Sequence, residues 1–381
     1  MRQMMGQLSR RSFLTNAVVC TLAGVVPIKR AGAADRAGYD DVIVIDGLGG
    51  PGNSANKPGV PLSEADVENV RRSGLTALNM TILPVGTTPA DGAFVQAVRE
   101  ILYWESQIER VPQALTRIRT VADIVDAKKT KRTGLIYGFQ DGVAFETDLS
   151  RLNDFYRLGV RIIQPTYNRR NLLGDGCLEP TNAGLSRAGT EAITRMNEIG
   201  ILVDLSHCGR RTAADAIQTS TRPVAFTHTG CSALSDHPRN RTDAELRAVA
   251  DKGGVSGIYF MPYLNNGHQP TAENVIAHLE HAIKVAGEDH VSIGTDGGVS
   301  PEIIDDGFRK NFAESIRARR EAGIAAPGET EDGYLFANDL NTSRRLETLA
   351  SMLSRRGHTA TRIEKILGRN LLRVFSDVWI H

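Results

Sequence analysis

Several features are scarce in this chain, and each scarcity removes a class of protein. Net charge is almost nil, 45 Lys and Arg against 44 Asp and Glu, a formal +1. That balance leaves no electrostatic footprint for nucleic acid, which is therefore not expected as a partner. Long apolar runs are missing too. The mildly apolar stretch from Phe13 to Val26 is diluted by Thr, Asn and Gly and is shorter than the roughly 20 residues a membrane span needs, so no span is expected in the mature chain. A Gly-rich dinucleotide turn is lacking: Gly47-Leu48-Gly49-Gly50 has neither the later glycine nor an acidic partner strand. There is no internal repeat and no long linker. Cysteine is scarce as well, at four residues.

What is present begins with a leader. Ser9-Arg10-Arg11-Ser12-Phe13-Leu14 matches the twin-arginine consensus, and the apolar stretch after it ends in the small-residue run Ala31-Gly32-Ala33-Ala34. A basic start, a short apolar core and an A-x-A site in that order form a signal peptide. Residues 1–34 are therefore expected to direct export to the periplasm, and residues 35–381 to form the mature single domain. Twin-arginine export carries folded proteins, which suits one that takes up a metal beforehand. Cys20 leaves with the leader. Cys177, Cys208 and Cys231 remain, an odd count that permits at most one internal disulfide.

In the mature chain, short apolar runs alternate with longer amphipathic ones, the mark of βα units around a parallel sheet. Strands are expected at 42–46, 77–82, 133–138, 159–166, 201–206, 223–227, 255–260 and 291–295, and helices at 190–199, 244–252 and 272–286, among others. Eight strands are what a closed α/β barrel requires, so the expected fold is a TIM-type (β/α)8 barrel, with an open doubly wound sheet as runner-up. The polar segment 300–339 reads as an excursion or lid after the eighth strand. Helices at 343–355 and 361–367 then close the chain.

Barrel enzymes carry their chemistry at the C-terminal ends of strands, which turns the strand assignment into a site assignment. Strand five ends in Asp204-Leu205-Ser206-His207, strand six in Thr227-His228 and strand eight in Thr295-Asp296. Two imidazoles and a carboxylate on one mouth suit a zinc-type metal that activates water. Arg239 follows strand six, either as a carboxylate clamp or as one half of a loop ion pair. Cys208 and Cys231 flank the histidine motifs, as small buried packing residues or as a thiolate ligand. His278, His281, His290, His358 and His381 lie on helical or terminal stretches and read as solvated or capping residues.

At these residues the chain resembles the renal (membrane) dipeptidase family of zinc metallopeptidases, a branch of the amidohydrolase-type barrels. The likeness runs from Asp41 to Trp379. Its most specific parts are 202–207, Thr227-His228 through 236–240, and 290–296, with the tail 363–374 also similar. The resemblance implies that His207 and His228 bind one zinc, that Asp296 stands beside the metal centre, and that Arg239 contacts substrate. It also implies departures. The family's His-x-Asp pair after strand one is replaced by Leu48-Gly49-Gly50, its bridging Glu by Gln140, and its His after strand four by Tyr167. Two dications without those carboxylates would repel each other strongly in a low-dielectric mouth. One zinc per chain is therefore expected, held by His207 and His228 with Gln140 or Asp296.

The expected function is hydrolysis of a small amide- or dipeptide-like substrate. Asp296 would take a proton, Tyr167 would donate to the oxyanion, and Arg239 and Tyr167 would contact the substrate. A lyase or isomerase on the same scaffold, or a non-catalytic ligand-binding protein, stand as alternatives. The resemblance also implies a homodimer.

Overall fold

The computed structural model describes residues 38–56, 59–86 and 90–380. The expected leader and His381 lie outside the described residues. Eight parallel strands form the barrel: β1 (Ile45–Asp46), β2 (Ala77–Thr81), β3 (Thr133–Phe139), β4 (Val160–Ile163), β5 (Leu202–Val203), β6 (Ala225–Cys231), β7 (Val255–Ile258) and β8 (Val291–Ile293). Each of the first five pairs with the next, as do the last three. An Asp204–Ala225 bridge joins β5 to β6. The Gly47 N–H donates to the Ile293 carbonyl at 2.8 Å, which ties β1 to β8 and closes the ring. The fold is an α/β TIM-type barrel, as the eight apolar runs implied.

Strands buried on both faces need near-continuous apolar runs. All seven residues of β3, Thr-Gly-Leu-Ile-Tyr-Gly-Phe, are buried. Its glycines are required by crowding: a Cβ at Gly138 would lie 2.4 Å from the Asn79 amide oxygen, and one at Gly134 would run into Ile118. The outer helices are set by local signals. Thr120 and Thr242 cap the helices Val121–Thr130 and Asp243–Asp251 through capping boxes, and Gly200, at φ 83°, ends Arg187–Ile199.

The first residues of β1, β2, β5, β6 and β7 (Ile45, Ala77, Leu202, Ala225 and Val255) pack together with Leu371, Phe375 and Trp379. The C-terminal helix Asn370–Val378 thus seals the end of the barrel opposite the mouth. Sequence periodicity places the closing helices only as far as residue 367, and this helix lies beyond them. Three short pairings add to the barrel. Leu115–Arg117 pairs with the start of β3, Asn240–Arg241 with the end of β6, and Gly49–Gly50 with Gly297–Gly298. The excursion 300–339 contains a helix, Asp306–Glu321.

No helix among the described residues is long and apolar enough to cross a membrane. Cys177, Cys208 and Cys231 are all free thiols, so the permitted disulfide does not form. Cys208 and Cys231 are buried among apolar side chains, the packing role rather than the ligand role. His278 corrects an expectation: it is buried, and its ring accepts from the Cys231 N–H at 2.9 Å and bonds the Leu264 carbonyl at 3.0 Å.

Candidate active site

Two buried aspartates frame the mouth. At the end of β5, the Asp204 carboxylate accepts from the Ser206 N–H (3.0 Å) and hydroxyl (2.5 Å), the Thr227 N–H (3.0 Å) and hydroxyl (2.6 Å), and the Gln164 amide (2.8 Å). This fixes the two residues that precede the histidines. His207 and His228 therefore converge, with their Nε2 atoms 2.9 Å apart, and both rings are buried.

Their partners settle which nitrogens carry hydrogen. The Asn168 amide nitrogen donates to the Ile324 carbonyl at 2.8 Å, which turns Oδ1 toward His207 Nδ1 at 2.6 Å. His207 Nδ1 must then be the N–H. The Thr227 hydroxyl spends its hydrogen on Asp204, so its oxygen accepts from His228 Nδ1 at 2.9 Å. Neither Nε2 atom carries hydrogen, and the two face each other, with the Arg239 guanidinium donating to that of His207. Burial, with Arg239 beside them, holds both rings well below the ordinary histidine range and hence neutral. Neutral imidazoles locked through Nδ1, with an unprotonated Nε2, are the donor set a zinc-type cation takes.

Arg239 is 1% exposed and has no carboxylate partner among the described residues, so it is not half of a loop ion pair there. Its guanidinium donates to the Ser206 carbonyl and, from Nη2, to His207 Nε2 at 3.0 Å. A buried, unpaired guanidinium is costly and awaits an anion. Tyr167 stacks on the His207 ring, centroids 4.1 Å apart. Its phenol oxygen accepts from Arg319 at 3.3 and 3.4 Å, and burial keeps the phenol protonated. Arg319 is itself clamped by Glu329 at 2.6 Å, and Glu329 accepts from the Tyr263 hydroxyl at 2.6 Å. Sequence reading missed Arg319 and Glu329, which arrive from the excursion without any motif. Asn168 was within reach of the strand-end rule, directly after Tyr167.

Asp296 takes a left-handed backbone, φ 56°, uncommon for a residue with a side chain. Its N–H donates to the Leu48 carbonyl at 2.8 Å, which ties it to the β1 side of the mouth. Burial pushes its carboxyl up to about 7, against the lowering effect of Arg239 and Arg319. No hydrogen bond to that carboxylate is made among the described residues. Gln140 donates its amide nitrogen to Thr81 Oγ1 at 2.6 Å. Asp296, Gln140, Leu48 and Gly50 all line a cavity of about 590 Å³, whereas His207, His228, Arg239 and Tyr167 do not.

The four expected ligands are therefore not assembled as one set. Among the described residues no group of three or more His, Cys, Asp and Glu is placed to hold a metal ion. The histidine pair belongs to the β5–β6 corner. Gln140 and Asp296 face the cavity instead, because the Thr81 and Leu48 bonds hold them there.

The profile of the family described as membrane dipeptidase (peptidase family M19) matches residues 45–309. The chain belongs to the membrane dipeptidase family. It is 29% identical over 274 residues to dipeptidase verJ of Clonostachys rogersoniana, an alignment covering 71% of this chain and 62% of verJ. It is 32% identical over 233 residues to dipeptidase tcpJ of Claviceps purpurea, covering 60% and 47%. The matched region thus spans less than two thirds of either relative. Among solved structures, an amidohydrolase from Pseudomonas aeruginosa gives a TM-score of 0.75 at 33% identity, covering 90% of this chain and 98% of that one. A metallopeptidase from Rhodobacter sphaeroides, liganded with a phosphinate mimic of L-Ala-D-Ala, gives 0.71 at 20% identity, covering 89% and 99%, a likeness of fold alone. Membrane dipeptidases depend on metal. On the β1 side this chain carries Leu48, Gly50 and Gln140, none of them an imidazole or a carboxylate, and the β5–β6 corner carries the His207–His228 imidazole pair.

Proposed function

We propose that this protein is an exported, metal-dependent hydrolase of small amide- or dipeptide-like substrates, with one metal position per chain. The observation that carries the reading is the pair of unprotonated Nε2 atoms on His207 and His228, 2.9 Å apart. These two residues would hold a zinc-type cation, which when bound supplies Lewis acidity and lowers the pKa of water. Asp296, near half-ionised at neutral pH, is poised to take a proton as general base. Tyr167 keeps its proton, and Arg319 donates to its oxygen, so the phenol can donate to a developing oxyanion. Arg239, buried beside His207, suits negative charge that develops at the reacting carbonyl.

Export through the twin-arginine route to the periplasm, and assembly as a homodimer, belong to the same reading. Fractionation of the source cell and light scattering check them. The function is tested by metal quantification together with a screen of dipeptides, N-acyl amino acids and lactones. The expected result is hydrolysis that requires metal and is lost when both His207 and His228 become Ala. Hydrolysis surviving that double substitution sinks the metal mechanism. A product formed without uptake of water would replace the hydrolase by a lyase or isomerase.

A further inference from the structure

The cavity of about 590 Å³ is the least explained feature of the mouth. It occupies the corner where Leu48, Gly50 and Gln140 replace the family's ligands, and all three line it. Of the paired segments Gly49–Gly50 and Gly297–Gly298, Gly50 and Gly297 leave open space, whereas a Cβ at Gly49 or Gly298 would run into neighbouring atoms. A Cβ added at Gly50 would meet nothing within 4 Å. One wall is aromatic. Trp104, Phe308, Phe312 and Phe336 line it, with the Phe308 and Phe312 rings stacked 5.8 Å apart and Phe336 stacked on Tyr334 at 5.5 Å. A cavity of this size takes a ligand well beyond a dipeptide of small residues.

Arg345 supplies the second observation. It lines the cavity and is only 8% exposed. Its Nε donates to the Thr342 carbonyl at 2.8 Å and its Nη2 to the Val299 carbonyl at 3.4 Å. Neither bond neutralises its charge, and no carboxylate lies within ion-pair distance among the described residues. Asp46 and Glu302 act on it only from further away. Nη1 makes no hydrogen bond among the described residues and lies 3.5 Å from where a Cβ at Gly297 would stand. A buried guanidinium with a free donor edge, one residue along from Asp296, is a built anion site.

We propose that this cavity is a substrate subsite for an N-acylated amino acid or dipeptide with an aromatic side chain, its carboxylate held by Arg345. The subsite rests on the hydrolase reading for the placement of the amide near Asp296 and Gln140. The aromatic group fills the space left by the absent metal ligands, and the carboxylate meets Arg345 rather than Arg239, which does not reach the cavity.

Isothermal titration of the mature protein with N-acetyl-phenylalanine, its carboxamide and N-acetyl-alanine tests this. The acid should bind at least tenfold tighter than the carboxamide, and N-acetyl-alanine should bind more weakly than either. Arg345→Gln should erase the acid's advantage while leaving carboxamide affinity unchanged, and Gly50→Phe should block both phenylalanine probes. Should Arg345→Gln fail to fold, the wild-type comparison and Gly50→Phe still decide. Equal binding of acid and carboxamide, an equal loss of both in Arg345→Gln, or loss of the preference in Arg239→Gln instead would overturn the subsite. Binding that follows the expected pattern without any turnover overturns the hydrolase reading and leaves the subsite standing. Turnover indifferent to both carboxylate and ring does the reverse.

Discussion

The β1 and β5 corners of the mouth share one frame and end in opposite states. At β5, Asp204 grips the N–H two residues on (3.0 Å) and the hydroxyl of Thr227 on the neighbouring strand (2.6 Å). At β1, Asp46 grips the N–H of Leu48 (3.2 Å) and the hydroxyl of Thr295 on its neighbour (2.6 Å). The residue after each threonine faces the chemistry, His228 in one case and Asp296 in the other. Yet the β5 corner is packed solid around an imidazole pair, while the β1 corner opens into a cavity. The frame and the ligands are thus separable. Buried aspartates hold the strand ends together in both corners, whether an imidazole pair or a cavity stands beside them.

The sharpest way to break this comparison is at Asp296, the carboxylate on the cavity side. Asp296→Asn should lower turnover by about 10²–10⁴-fold, the usual worth of a general base. Turnover by the wild type should also fall below about pH 7 as this carboxyl protonates. A variant with full turnover would remove Asp296 from the mechanism.

Next is the lock on the packed corner. Asn168→Ala frees the His207 tautomer and should weaken metal affinity by about 10–100-fold, read by competition with a chelating dye. Unchanged affinity would show that the Nδ1 bond does not set the donor.

The frame itself should appear in stability. Burial pushes Asp46 up to about 6 from its ordinary 3.8, so the folded chain holds this proton more tightly than the unfolded chain. The associated stability is fully present below about pH 4 and is lost as pH rises through about 6. Two units correspond to about 3 kcal/mol. Denaturant unfolding at pH 4.5 and 7.5 should show a smaller drop for Asp46→Asn than for the wild type; equal drops would contradict this account. Smallest of all, Cys208→Ala should cost roughly 1 kcal/mol and leave metal content unchanged. Loss of metal there would restore a thiolate ligand.

Much of the frame was legible before any coordinates. Alternating apolar runs gave the eight strands, and the strand-end rule picked out His207, His228, Asp296 and Tyr167 because position along a barrel strand determines exposure at the mouth. The replaced ligands, Leu48, Gly50 and Gln140, were visible in sequence too. Their consequence was not. Whether a lost metal position collapses or stays hollow depends on side chains brought from far along the chain, here Phe308, Phe312 and Phe336 from the excursion and Arg345 from the helix after it. Arg319 and Glu329 stayed hidden for the same reason: their partners, Tyr167 and Tyr263, are remote in sequence. The splitting of the expected ligand set rests on the bonds that hold Gln140 to Thr81 and Asp296 to Leu48, and periodicity carries no trace of them.

The division of the mouth is tested most directly by elemental analysis of the purified wild type beside His207→Ala/His228→Ala and the graft Leu48→His/Gly50→Asp/Gln140→Glu. The account predicts about one zinc-type metal per chain in the wild type, essentially none in the double variant, and a second in the graft. Two metals per chain in the wild type would contradict it.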